Sequence, residues 1–201
     1  AKNTLIVAVI STILATILGT LLAVGVEIRR RKGRWLETLI FAPMIIPDIV
    51  LAIGLLSMFS LLNVRMGLQT IVVSHVVFNL AFVCSVVRAR LKTFDWSIVE
   101  ASYDLGAPGW VTLWRVIVPS LLPAVIAGAL LAFTLSVDEF IIAFFTAGAG
   151  RSSITLPMQI FAMIRFGVTP ETTPLATIVM PISIVALAIS QKLNRGRLPG
   201  Q

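Results

Sequence analysis

Three acidic side chains lie well inside the apolar runs of this sequence: Asp48, directly after Pro47, and the adjacent pair Asp138 and Glu139. A carboxylate inside a membrane-length apolar run is costly, so it faces a protein interior or an aqueous cavity. Thr134, one helical turn before Asp138, extends that polar strip, and Glu171 stands at the mouth of a later apolar run. Successive helical residues point about 100° apart, so Asp138 and Glu139 do not face one cavity squarely. Such carboxylates either line a path or pair with cations and backbone donors of a neighbouring protein. Both readings stay open for Asp138, Glu139 and Asp48.

No catalytic arrangement accompanies them. The single histidine, His75, and the single cysteine, Cys84, stand nine residues apart, which makes no metal site. His75 either bonds between helices or lines a path. The chain lacks G-x-x-x-x-G-K-[ST]; its Gly148–Ser153 stretch has the wrong spacing and no lysine, so it is not a phosphate loop. Asp48 and Asp138 lack the context of an intramembrane protease. No catalytic residue, metal ligand or cofactor is expected on this chain.

The elements that carry these residues belong in a membrane. Of 201 residues, 58% are hydrophobic and only 12% charged, against about a quarter charged in soluble domains; the mean hydropathy is +1.00. A helical span takes about 20 apolar residues, and five runs qualify, roughly 4–26, 36–62, 68–88, 120–146 and 172–191. They are continuous rather than alternating, which argues against a barrel. The expectation is an all-α polytopic bundle, one membrane domain over 1–201. The lone Cys84 excludes an intrachain disulfide. The first run is too long for a signal peptide, and its basic cluster follows it.

The pI of 10.8 suggests nucleic acid until the charges are placed. Arg29, Arg30, Arg31, Lys32, Arg34, Arg88, Arg90, Lys92, Arg115, Lys192, Arg195 and Arg197 fall on one side of the spans, and Lys2, Arg65, Arg151 and Arg165 on the other. This asymmetry marks the richer side as cytoplasmic, with the amino terminus outside and the carboxyl terminus inside. Pro43 and Pro47 interrupt the second run, and proline removes helix hydrogen bonds. The short turn at Asn63 to Gly67 makes a hairpin of the second and third runs. Ala15, Gly19 and Ala23, and again Ala124, Gly128 and Ala132, form small-residue stripes for close helix approach, within the chain or toward another subunit. In the long outer loop from Ala147 to Thr173, residues 157–166 suit a short helix at the interface or folded back between spans.

Residues 93–119, between the third and fourth runs, form a cytoplasmic loop of two short helices. Asp95 or Ser97 can cap the first, and Ser97 with Glu100 has capping-box spacing. Ile98, Ala101, Ser102 and Leu105 supply a packing face at helical spacing, with Glu100 and Asp104 on another. Gly106 suits a left-handed helix end, and Pro108 starts the next helix. Trp110, Leu113, Trp114 and Ile117 repeat the spacing, and Pro119 marks entry to the fourth span.

Glu100-Ala101-Ser102, Gly106 and Val116-Ile117-Val118-Pro119 resemble the EAA signature of bacterial ATP-binding-cassette importer permeases; Ser102 replaces the second alanine, and Val116 and Val118 replace Ile and Leu. The resemblance covers essentially the whole chain. It is nearest the spermidine/putrescine permease branch through Met44–Val50, Ser74–Phe78, Phe133–Glu139 and Gly167–Glu171. It implies that the loop docks into a cleft on a separate ATPase, which holds ATP and Mg. Glu100 pairs with a basic group there, while Ala101, Asp104, Gly106 and Pro119 belong to the same coupling element. A second permease subunit, an external binding protein and a place in the bacterial inner membrane are likewise implied. Six spans are usual in the family, so a first one is expected to be missing here. A polyamine sheds water to cross; if they line the path, Asp138, Asp48 and Glu139, with Thr134 on the same polar strip, would replace part of that hydration, the other reading being that they pair with the partner permease. Rival readings are an importer for an aminoethylphosphonate, ferric ion or sulfate, and a secondary transporter.

Overall fold

The computed structural model describes residues 1–28 and 34–166. Nine α-helices are described: α1 (Lys2–Ile28), α2 (Arg34–Ile45), α3 (Asp48–Leu61), α4 (Leu68–Leu91), α5 (Ser97–Asp104), α6 (Gly109–Thr112), α7 (Val118–Asp138), α8 (Ile141–Thr146) and α9 (Leu156–Phe166). A five-residue π-turn, Leu113–Ile117, joins α6 to α7. The expected fifth span, Glu171, Lys192, Arg195 and Arg197 lie outside the described residues.

Three of these helical stretches are long and apolar enough to cross a membrane: α1, α4 and the continuous run Gly109–Asp138. At 1.5 Å per residue, their 24 to 30 residues measure roughly 36 to 45 Å, against a hydrocarbon core of about 30 Å. The expected second span is not one helix. Its two halves meet at 116°, because Pro47 cannot donate back into α2 and its own carbonyl instead starts α3, accepting Val50 and Leu51 N–H at 2.8 and 3.1 Å. With 12 and 14 residues, neither half reaches across alone. Nor is 120–146 one helix. α7 stops at Asp138, Glu139 is extended, and α8 begins at Ile141. The Glu139 carboxylate turns onto the Ile142 N–H at 2.9 Å and so serves one of the free donors that open α8.

The core is the α1–α4–α7 bundle. A Cβ on Gly19 would lie 2.9 Å from Val83 Cβ and 3.0 Å from the Leu80 carbonyl oxygen, and one on Gly128 would meet Val83 Cγ1 at 3.4 Å. Val83 is thus held between two glycines, Ala23 and Ala132 belong to the same core cluster, and Ala15 and Ala124 are buried too. Both small-residue stripes serve packing within the chain. Two turns further along, Ser136 Oγ lies 3.0 Å from Ser11 Oγ and 2.6 Å from His75 Nδ1, all three buried. His75 therefore bonds between helices. α3 departs from the expected hairpin: its Ala52, Leu55 and Phe59 pack on Ile142 of α8 as well as on Phe78 of α4.

The bundle has two distinct ends. Asn3 Nδ2 donates to the Ser152 and Ile154 carbonyls at 2.8 and 2.9 Å, and Leu156 N–H donates to the Thr4 hydroxyl at 2.7 Å. Gly148 rests on Met66. This Asn3 end gathers the turn after α3 and the loop before α9. At the opposite, Gly106 end, Arg88 Nε lies 3.6 Å from Glu27 Oε2, and α5 and α6 follow α4. Arg88, Arg90, Lys92 and Arg115 therefore stand at the Gly106 end and Lys2 and Arg65 at the Asn3 end, as the charge asymmetry predicts. Residues 157–166 are helical as expected, and Phe161 stacks on Phe140 with centroids 4.5 Å apart. α9 is thus folded back onto the α7–α8 joint.

Candidate functional site

The loop at the Gly106 end is built by local hydrogen bonds. Ser97 does not cap α5; Asp95 Oδ1 accepts the Ser97 N–H at 3.0 Å. Hydrogen bonds from Ser97 hold the Asp95 carboxyl below its ordinary pKa. At the other end Gly106 adopts φ +80°. The Gly106 N–H donates to the Tyr103 carbonyl at 2.8 Å and the Ala107 N–H to the Ser102 carbonyl at 3.1 Å, a Schellman pair that closes the helix. Pro108 stands one place before the helix rather than in its first position, its carbonyl accepting Val111 and Thr112 N–H at 2.9 and 3.1 Å. Ser102 Oγ and Thr112 Oγ1 are 2.9 Å apart, so the residue that departs from the EAA signature clips α5 to α6.

The expected packing face of α5 is corrected. Val99, 7% exposed, turns inward with Trp96 toward Leu113 and Ile117, whereas Ile98, Ala101 and Leu105 (89% exposed) face outward. α5 carries two apolar stripes, and the wall made by α7 and the π-turn selects the one holding Val99. Glu100 and Asp104 are exposed on the outward side. Trp110 and Trp114 are also exposed, so only Leu113 and Ile117 of the second repeat pack inward. Pro119 is the second residue of α7, at the start of the long helix as expected, and the helical run continues through it from Gly109. Val118 N–H bonds five residues back to the Leu113 carbonyl, and this wide turn admits the proline while the helix runs on. Ser120 Oγ serves the Val116 carbonyl at 2.7 Å.

The path candidates gather at the two broken helices. Asp48 opens α3 and Glu139 stands just before α8, and these two helices pack on one another. Asp138, the last residue of α7, is exposed and lines a cavity of about 300 Å³ with Val137, Phe140, Pro157 and Phe161. Asp138 and Glu139 thus serve different surroundings, but because the helix ends between them and Glu139 is extended rather than through a 100° step along one helix. Thr134 sits a turn earlier, half-buried, its hydroxyl donating to the Leu130 carbonyl at 2.9 Å. Two features escaped sequence reasoning. Phe140 and Phe161 are ordinary members of apolar runs and carry no signal. Glu27, a charge in the last turn of α1, did carry one; its Arg88 partner and the Phe41 ring 5.7 Å from that guanidinium come from other helices.

The family described as "binding-protein-dependent transport system inner membrane component" matches residues 15–198. The chain is 40% identical, over its whole length and 75% of the relative's, to the spermidine/putrescine transport system permease protein PotC of Escherichia coli. It is 36% identical to the PotC of Haemophilus influenzae, over 97% of this chain and 76% of that one. It is 39% identical to the putrescine transport system permease protein PotI of Escherichia coli, over 76% of this chain and 56% of that one. A chain from inward-facing crystal structures of the MetNI methionine ABC transporter superposes with a TM-score of 0.77 at 17% identity, covering 96% of this chain and 93% of that one. This last likeness concerns the fold. The protein therefore belongs to the binding-protein-dependent transport permeases, as a multi-pass component of the inner membrane.

Proposed function

We propose that this chain is the membrane-spanning subunit of an ATP-driven importer for spermidine and putrescine. The Gly106 end faces the cytoplasm. There the outward stripe of Ile98, Ala101 and Leu105, flanked by Glu100 and Asp104, enters a separate ATPase that holds ATP and Mg. A second permease completes the path, and an external binding protein loads the Asn3 end. The observation that carries this reading is one unbroken helix, Gly109–Asp138, which begins at the docking loop and ends at a carboxylate about 44 Å away. Motion of α5, clipped through Ser102 and Thr112, moves that helix and its Asp138 tip as one body. ATP binding and the state of the path are then coupled in free energy.

The Asp138 cavity supports an organic cation. A carboxylate attracts an ammonium group, the Phe140 and Phe161 rings add cation–π attraction, and apolar walls suit the methylene spacers. Sulfate or a phosphonate would meet repulsion there. The experiment is binding-protein-stimulated ATPase and uptake by the reconstituted transporter with spermidine, putrescine and an aminoethylphosphonate. Stimulation by the polyamines alone is expected, and Asp138→Asn should lose uptake while keeping assembly and stimulated ATPase. Stimulation by the phosphonate alone would overturn the substrate class. Unchanged uptake in Asp138→Asn would remove that residue from the path.

A further inference from the structure

We propose that the cleft between α2 and α4 at the Gly106 end binds the phosphate of an anionic phospholipid. The cleft holds about 530 Å³. One wall is Ser85, Arg88 and Lys92 of α4, three residues at helical spacing that supply a hydroxyl and two cations; the other is Phe41, Met44 and Ile45 of α2. A polar donor wall facing an apolar wall is the chemistry of a lipid, whose phosphate takes the donors and whose acyl chain lies on the hydrocarbon.

The depth agrees. Ser85, Arg88 and Lys92 occupy the last two turns of a membrane-crossing helix and its cap, the level at which headgroups lie. α2 is too short to span and leaves the line of α3 at 116°, and Ile45 is 78% exposed beside the cleft. Arg88 is held in place from two sides, by Glu27 Oε2 at 3.6 Å and by the Phe41 ring at 5.7 Å, so little freedom is lost when it meets an anion. Glu27 pairs with Arg88, and among the described lining residues Arg88 and Lys92 are the charged ones, both cations. In the sequence Arg34, the first residue of α2, is preceded by Arg29, Arg30, Arg31 and Lys32, which lie outside the described residues, and basic groups of this kind at the cytoplasmic side of spanning helices recruit anionic lipid. A free phosphate would satisfy the donors alone and leave the apolar wall without an occupant.

The test is lipid retention by the assembled transporter in nanodiscs of phosphatidylcholine mixed equally with phosphatidylglycerol, read by native mass spectrometry after mild delipidation. Phosphatidylglycerol is expected to stay bound in preference to phosphatidylcholine. In Lys92→Ala its binding should weaken about fivefold, the factor for one basic residue at an anionic surface, with Arg65→Ala at the opposite end unchanged. Arg88 is spared, because its loss would leave Glu27 buried without it. A photoreactive residue at Met44 should label lipid. Equal retention of both lipids would overturn the proposal, as would equal weakening in both variants. So would competition by inorganic phosphate alone, or labelling of the partner permease at Met44. None of these outcomes depends on which solute is transported.

Discussion

Gly106→Ala isolates the turn that aims α5. Gly106 sits at φ +80° and a Cβ built there meets nothing within 4 Å, so the substitution introduces no clash and its cost is conformational. The left-handed region costs an L-residue about 1–2 kcal/mol. That penalty shifts the balance between the Schellman turn and its alternatives roughly 5- to 30-fold. The N–H groups of Gly106 and Ala107 lose their carbonyl partners in those alternatives, and the outward face of α5 no longer points one way. In the reconstituted transporter, stimulated ATPase should fall by that order in Gly106→Ala and recover in large part in Gly106→Asn, since asparagine tolerates the left-handed region better. Basal assembly, followed by co-purification of the subunits, should be unchanged. Equal stimulated rates for glycine, alanine and asparagine, with assembly intact, would refute the idea that this turn sets the coupling geometry.

Three further outcomes follow from the packing. Gly19→Ala places a carbon against Val83 and the Leu80 carbonyl and should destabilise the bundle by about 1–3 kcal/mol, whereas Gly25→Ala, with nothing within 4 Å, should not; thermal unfolding of the purified complex separates the two. Ser136→Ala leaves Ser11 and His75 buried without their shared partner, a loss of about 1–3 kcal/mol. Adding Ser11→Ala should cost much less than the first change, and strict additivity would contradict the network. Ser102→Ala and Thr112→Val each break one clip, so a double-mutant cycle on hydrogen exchange of the α5 amides should show coupling of about 1 kcal/mol; zero coupling would mean the contact holds nothing.

Features that depend on composition and short-range order were legible in the residues alone. Continuous apolar runs mark membrane helices because backbone groups in hydrocarbon must bond within their own segment. The asymmetric placement of arginine and lysine sorts the two ends. Gly106 announced its left-handed turn because the helix end needs φ > 0 there. Tertiary structure decided the rest, wherever two local solutions were nearly equal. Val99 rather than Ile98 and Leu105 turned inward because one of two apolar stripes found a wall. The two alanine–glycine stripes closed on Val83, a partner that no spacing within either helix could name. The runs 36–62 and 120–146 broke because Pro47 withheld a donor and Glu139 supplied an acceptor. Such events are settled by single hydrogen bonds, whereas the apolar pattern that marks a span averages over some twenty residues.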